Sequence, residues 1–197
     1  MSTLARPVSD RFHDALAYAS EMHADQSRKG GEIPYVAHLM AVSVIVMEAR
    51  GTEDEAIAAL LHDGPEDQGG LERLADIRDR FGVRVAGIVE HCSDTFETPK
   101  PSWLDRKRRY VESLASADAS TLLVSVADKL HNARSTLRDL QAAADPATVW
   151  RRFKGTPEQT IANYRALIDA YTRGTPDARR DPIVHELRNI IDAIEAN

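Results

Sequence analysis

Residues 122–140, LLVSVADKLHNARSTLRDL, carry the clearest structural signal in the chain. Apolar side chains recur every three or four positions here, at Leu122, Leu123, Val126, Leu130, Ala133, Leu137 and Leu140. That spacing puts them on one face of an α-helix, because the helix repeats about every 3.6 residues. The stretch therefore predicts a long helix, from Thr121 onward, with a single buried stripe.

The rest of the chain is also patterned as helix. Ser9 and Asp10 are candidate N-caps of a first helix, and Thr52 with Glu55 fits a capping box before the third. Apolar spacing and Gly or Pro punctuation predict further helices near residues 35–49, 53–62, 71–80, 83–91, 103–114, 157–171 and 182–194. Gly64-Pro65 is expected to break the chain sharply. We expect an all-α single domain of about ten helices, in which a lone β-hairpin would fit but a central sheet would not.

Composition excludes several classes of protein. The chain has 197 residues, enough for one sizeable core, with 43% hydrophobic and 28% charged residues, which is typical of a globular protein. The formal net charge is −6, which argues against a protein that coats nucleic acid. Cys92 is the sole cysteine, so an intrachain disulfide and a multi-cysteine metal site are both excluded.

Targeting and membrane signals are weak. Residues 1–10 contain no continuous apolar core, so they do not predict a signal peptide. The longest mostly apolar stretch, residues 39–47, is shorter than the ~20 residues that a membrane helix needs. We expect a soluble cytoplasmic protein with no nucleic-acid or membrane partner, and a small anionic substrate stays possible if cations are concentrated locally. The oligomeric state stays open.

Chemistry-bearing residues concentrate in HDGPED, residues 62–67. His62 beside Asp63 suits divalent metals that accept nitrogen and oxygen ligands. The chain break that follows can return two further acids, Glu66 and Asp67, to the same place. Such a dipeptide alone is weak evidence, since it often arises by chance.

Asp128 is a second unusual position, because it follows the almost entirely apolar run 122–127. An ionised carboxylate on a buried helix is costly unless it is paired or binds a metal. The alternative to a metal is a salt bridge with Lys129 or Arg134. A third position, His38, opens an apolar helix, where a lone histidine is by itself typical of a core or surface residue.

In this order, His38, His62-Asp63 and Asp128 resemble the HD superfamily of metal-dependent phosphohydrolases. More narrowly, the chain resembles the hydrolase domain of RelA/SpoT proteins and the small alarmone hydrolases, including the metazoan SpoT homologue. The resemblance covers about residues 10–172 and leaves 173–197 as a C-terminal helical extension. It rests on AYA at 17–19, His23, Gln26, RKG at 28–30, PY at 34–35, ALLHD at 59–63, ED at 66–67, FG at 81–82 and ADKLHN at 127–132.

The resemblance implies an HD-type fold and a role for each matching residue. It implies one Mn²⁺ ion, with Fe²⁺ or another divalent metal as alternatives, held by His38, His62, Asp63 and Asp128. It puts Glu66 and Asp67 beside the attacking water. It implies nucleotide contacts for Arg28, Lys29 and Asn132, a position near the pyrophosphate for Ser135, and a place in the nucleotide pocket for Tyr164.

The activity implied is hydrolysis of (p)ppGpp at the 3′-pyrophosphate, without a synthetase activity. Leucine follows His38 where many members have proline, and Gly64-Pro65 replaces a common apolar pair. These departures remove no ligand but put the substrate in question. Two alternatives stay open: hydrolysis of another phosphorylated nucleotide or cofactor, such as a 3′- or 2′-phosphate, and a catalytically silent nucleotide-binding module.

Two basic runs outside the matching motifs are interpreted as exposed surface, at residues 106–109 and 151–154. For both runs, contact of a side chain with a substrate phosphate stays an open alternative. The same alternative stays open for Lys100, which precedes the first run. His131 is similarly left at the edge of the expected pocket.

Overall fold

The computed structural model describes residues 8–97 and 99–197, so most of the segment considered for a signal peptide lies outside it. The helices are α1 Asp10–Met22, α2 Val36–Glu48, α3 Glu53–Leu61, α4 Gly64–Asp67, α5 Gly70–Phe81, α6 Val83–Cys92, α7 Trp103–Ser113, α8 Ala119–Ala142, α9 Ala147–Trp150, α10 Pro157–Arg173 and α11 Asp181–Glu195, with a 3-10 turn at Leu114–Ser116. Across these residues, β structure is limited to one antiparallel bridge between Ser27 and Pro34. The all-α expectation is confirmed.

Helix ends agree closely with the capping signals. The Asp118 side chain accepts a hydrogen bond from the Thr121 amide at 2.7 Å, so α8 begins two residues earlier than the apolar pattern suggested. The break expected at Gly64-Pro65 does occur, because α3 ends at Leu61, but the short helix α4 that begins at Gly64 was not predicted. Proline is tolerated in a first turn, where its missing N–H needs no partner. The short helix α9 was also not predicted.

The core is centred on α3 and the first half of α8. Residues 56–61 of α3 and 122–127 of α8 are each at most 1% exposed. Helices α2 and α6 pack against both of them. A capping box fixes the start of α3, because the Thr52 hydroxyl accepts from the Glu55 amide while the Glu55 carboxylate accepts from the Thr52 amide. The central helices therefore have a defined register at the point where α2, α3 and α8 meet.

The C-terminal helix α11 packs along α8 and α10 of its own chain. Its Leu187 and Ile191 are completely buried there. Among the described helices, none combines the length and apolar character needed to cross a bilayer.

Candidate metal centre

Four side chains from three segments converge where α2, α3 and α8 meet. His38 lies in the first turn of α2, His62 and Asp63 follow the end of α3, and Asp128 lies within α8. His38 Nε2 is 3.3 Å from Asp128 Oδ1 and 3.5 Å from Asp63 Oδ2. His62 Nε2 is 3.6 Å and 3.1 Å from the same two oxygens. Two imidazole nitrogens and two carboxylate oxygens thus face one common point.

The histidine nitrogens at this point have no hydrogen-bond partner. Nε2 of His38 and Nε2 of His62 are both buried and unpartnered, although carboxylates lie within 4 Å. Buried polar atoms normally find a hydrogen bond. Donor atoms of His38, His62 and Asp128 lie within 4.8 Å of one another, which is the arrangement expected around a shared ion. The residues present therefore fit a divalent cation.

The other ring nitrogens set the tautomers that metal binding requires. His62 Nδ1 lies 2.8 Å from the Ala59 carbonyl, to which it donates. His38 Nδ1 lies 2.7 Å from His131 Nδ1. Burial, followed by the neighbouring charge of His38, lowers the pKa of His131 to about 4, so His131 is neutral at pH 7 and accepts the His38 proton. With Nδ1 engaged in this way, Nε2 is the atom of each ring that faces the carboxylates, and it is the atom through which each ring would bind a cation in place of a proton.

Electrostatics favour positive charge at the centre. Burial alone would raise the pKa of both carboxyls, but His62 beside Asp63, and Lys129 beside Asp128, hold these two pKa values well below their usual range. Burial likewise opposes a charge on His62, yet the two carboxylates keep its pKa well above the ordinary histidine value. A cluster with two ionised acids and little solvent is stabilised by a cation placed between them.

The carboxylates are oriented by further partners. Asp63 Oδ2 accepts a hydrogen bond from the Tyr35 hydroxyl at 2.7 Å. The salt bridge considered for Asp128 does form with Lys129, through Oδ2, while Oδ1 stays directed at the histidines. Arg134, the other partner considered, pairs instead with Glu186. The salt bridge and the candidate metal site therefore coexist on one carboxylate.

Sequence reasoning did not assign Tyr35 to this site and left His131 at its edge. Each lies three residues from a proposed ligand, Tyr35 before His38 and His131 after Asp128. On a helix, that spacing puts a side chain on the same face as the ligand, about one turn away. The spacing was thus an available signal.

Glu66 and Asp67 in α4 face the same pocket as Asp63. Glu66 Oε2 accepts from the Asp94 amide at 3.2 Å, and its Oε1 lies 3.4 Å from Lys100 Nζ. Asp67 Oδ2 accepts from the Gln26 side-chain amide at 2.7 Å. Both acids are therefore held at fixed positions beside the metal centre.

The interpretation of residues 106–109 as exposed surface is wrong for Arg106. Its side chain is 8% exposed and forms an ion pair with Asp94, next to Glu66. Arg106 is buried because α7 packs beside the loop that follows α6. That loop carries its acidic partner, Asp94. This contact between distant segments could not be read from the run itself.

A cavity of about 850 Å³ extends from the metal centre, and a pocket of this size suits a small molecule. Its lining includes all five side chains expected to contact a nucleotide, Arg28, Lys29, Asn132, Ser135 and Tyr164. Arg28 donates to the Asn132 side-chain carbonyl at 2.6 Å and lies over the Tyr35 ring. Burial raises the pKa of Tyr164 to about 12, so its hydroxyl keeps its proton.

Comparison with known proteins agrees with this geometry. The sequence profile described as HD domain matches residues 15–154. The guanosine-3′,5′-bis(diphosphate) 3′-pyrophosphohydrolase MESH1 of Drosophila melanogaster is 38% identical over 141 residues, which cover 70% of this chain and 74% of the relative. The Xenopus tropicalis MESH1 is 37% identical over 164 residues, or 82% of each chain.

A solved structure, described as a metazoan ortholog of SpoT that hydrolyses ppGpp, superposes with a TM-score of 0.75 at 33% identity. The match covers 95% of this chain and 97% of that one. The helical fold, the convergence of histidines and aspartates and the profile match over most of the chain all agree, and this chain belongs to the HD domain family.

Proposed function

We propose that this chain is a divalent-metal-dependent hydrolase that removes the 3′-pyrophosphate of (p)ppGpp, releasing GDP or GTP and pyrophosphate. Relatives of similar length are named for this reaction, and the solved neighbour is described as hydrolysing ppGpp. The observation in this chain that carries the proposal is the pair of unpartnered Nε2 atoms that face two carboxylates at the end of a nucleotide-sized pocket.

The residues proposed to hold one cation are His38, His62, Asp63 and Asp128. We propose Mn²⁺, because mixed nitrogen and oxygen donors with open positions suit Mn²⁺ or Fe²⁺ better than a closed zinc site. When bound, the cation supplies Lewis-acid polarisation of a phosphoryl oxygen and acidifies nearby water.

Glu66 and Asp67 are the two carboxylates proposed to act in catalysis. Hydrolysis adds water across the bond between the 3′ oxygen and its phosphorus, so the water loses a proton and the departing 3′ oxygen gains one. A carboxylate fixed beside the phosphorus can accept the first proton. The contacts from the Asp94 amide to Glu66 and from Gln26 to Asp67 support this role, because they hold both carboxylates in place. Glu66 is also paired with Lys100 through its other carboxylate oxygen.

The proposed substrate-binding residues are Arg28, Lys29, Asn132, Ser135 and Tyr164. Arg28 and Lys29 supply positive charge for phosphate, and arginine can also stack on a base. Asn132 bridges the two regions, because it accepts from Arg28 and donates to Asp128. A nucleotide held by Arg28 would thus be placed against the metal centre.

We further propose that the chain acts as one HD domain with 173–197 as its C-terminal extension, that it is cytoplasmic, and that it has neither a nucleic-acid nor a membrane partner. The packing of α11 on α8 and α10 supports the single domain. The net charge of −6 supports the absence of a nucleic-acid partner.

The direct test incubates ppGpp with metal-stripped protein, with and without Mn²⁺, and resolves the products by anion-exchange chromatography. We expect GDP and pyrophosphate only when Mn²⁺ is present. Glu66→Gln and Asp67→Asn should each lower turnover by roughly 10²–10⁴-fold while metal stays bound. Glu97→Gln, at an exposed acid outside the pocket, is the matched control.

Two outcomes would contradict the proposal. Absence of turnover with metal bound would favour another phosphorylated nucleotide or a silent binding module. Full activity in both amide variants would remove Glu66 and Asp67 from the mechanism.

A further inference from the structure

One face of α8 runs the length of the pocket. Asp128, Asn132, Ser135 and Asp139 all line it, at the three- and four-residue spacing of a single helix face. A rise of about 1.5 Å per residue puts Asp139 about 16 Å along the axis from Asp128. The pocket therefore has a far end, well separated from the metal centre.

Arg152 lies at that far end. Its Nη1 donates to Asp139 Oδ2 at 2.8 Å, and its side chain lines the pocket. Its guanidinium also packs on Gly30, where an added Cβ would lie only 2.5 Å from Arg152 Nε. Gly30 has φ +82°, so both its backbone and its neighbour favour glycine at this position. Arg152 thereby joins the 28–31 loop to α8 across the pocket mouth.

Charge is segregated along the pocket. Near the metal centre the pocket is lined by the acids Asp63, Glu66, Asp67, Asp94 and Asp128, with Lys107 paired to Asp94 and Lys129 to Asp128. The far end is lined by Lys29, Arg138 and Arg152 with one carboxylate, Asp139. No ion pair within residues 8–97 and 99–197 involves Lys29. In a chain of net charge −6, this local excess of positive charge is a feature that an anionic ligand would satisfy.

Arg152 has donors to spare for such a ligand. A guanidinium carries five N–H donors in a planar fork, and the contact with Asp139 uses one of them. The remaining donors suit a phosphate group, which arginine can bind through two parallel hydrogen bonds.

We infer that Arg152, with Lys29 across the pocket mouth, forms a second anion subsite that binds the phosphate group at the end of the nucleotide away from the cleaved bond. This inference rests on the proposed function, for which that group is the 5′-diphosphate of ppGpp. The subsite selects nucleotides that are phosphorylated at both ends of the ribose, because the metal centre holds one anionic end and Arg152 the other.

The test compares Arg152→Gln with Arg151→Gln, an exposed neighbour that does not line the pocket. With Mn²⁺ present, KM is measured for ppGpp and for guanosine 3′-diphosphate, which lacks the 5′ phosphates. Loss of a charged hydrogen bond should raise KM of Arg152→Gln for ppGpp roughly 10- to 100-fold and leave guanosine 3′-diphosphate unchanged. Arg152→Lys should recover part of the loss, and Arg151→Gln should match the wild type on both substrates.

A binding measurement separates this subsite from the proposed reaction. Calorimetry with GDP, which has only the 5′-diphosphate, requires no turnover, and guanosine serves as the reference ligand. Weaker GDP binding by Arg152→Gln in a protein that never cleaves ppGpp would support the subsite and refute the reaction. Cleavage of ppGpp by a variant with wild-type KM and wild-type GDP affinity would overturn the subsite and leave the reaction standing. An equal loss on guanosine 3′-diphosphate would also overturn it, since Arg152 would then act only through the pocket's shape.

Discussion

Replacing Asp128 by asparagine tests the metal centre most directly, because the change keeps the shape of the side chain and removes one charge. Asp128 is 7% exposed, faces both histidines and pairs with Lys129. Removing one partner of a buried ion pair costs about 3–5 kcal/mol, and relief of the repulsion between Asp128 and Asp63 offsets part of this. We expect the metal-free variant to be about 2–3 kcal/mol less stable than the metal-free wild type.

The larger effect is expected on metal-induced stabilisation. A ligand at about 100 times its Kd stabilises the native state by about 2.7 kcal/mol, and a domain of this size gains about 2–4 °C in Tm per kcal/mol. The wild type should therefore gain about 5–10 °C on adding Mn²⁺. If loss of the carboxylate weakens binding a hundred-fold, the gain of the variant at the same concentration falls to about 1 °C.

The assay is thermal unfolding with EDTA and with excess Mn²⁺, together with a metal count on the dialysed protein. Asp169→Asn, at an exposed acid of α10, is the control and should respond to Mn²⁺ as the wild type does. The reasoning fails if Asp128→Asn keeps both the full Mn²⁺-induced rise in Tm and the metal content of the wild type.

Three further outcomes are expected. Tyr35→Phe removes the hydrogen bond to Asp63 and should weaken metal binding roughly 10- to 100-fold, as measured by competition titration with a chelator. An unchanged metal affinity would count against an orienting role for Tyr35. Burial opposes the charge of Glu55, but hydrogen bonds from Thr52 and Arg179 hold its pKa below the usual value. The ionised carboxylate therefore stabilises the fold above about pH 4.5, and this contribution is lost as pH falls through the lowered pKa. In urea unfolding at pH 7, Glu55→Gln should therefore be about 1–3 kcal/mol less stable than the wild type. Between pH 5 and about pH 3 the variant should lose less stability than the wild type. Parallel stability profiles of the two proteins over this pH range would contradict the stabilising role of the Glu55 carboxylate. Removing metal from the wild type with EDTA should lower Tm reversibly, while the far-UV circular dichroism spectrum stays helical at 25 °C. Unfolding of the metal-free protein at 25 °C would contradict this, because the apolar core would then be too weak to hold the helices alone.

Local patterns in the sequence were sufficient for the longer helices, whereas the proposed metal ligands came from the resemblance to a known family. Periodicity and caps depend on neighbours within a few residues, which is why α8 and the capping box at Thr52 were predicted closely. Contacts between distant segments were not accessible in this way. The burial of Arg106 depends on how α7 packs against the loop after α6, and the contact of Arg152 with Gly30 depends on two loops meeting across the pocket. Spacing along the chain carries no information on such meetings.

The convergence of His38, His62 and Asp128 from three helices also has a kinetic consequence. These proposed ligands lie far apart in the sequence, so their donor atoms meet only after α2, α3 and α8 have docked. If these contacts form only after the folding transition state, they act on the unfolding rate alone. Bound metal should then leave the folding rate unchanged and slow unfolding about 100-fold at 100 times its Kd, so the cation would set how long each molecule stays folded.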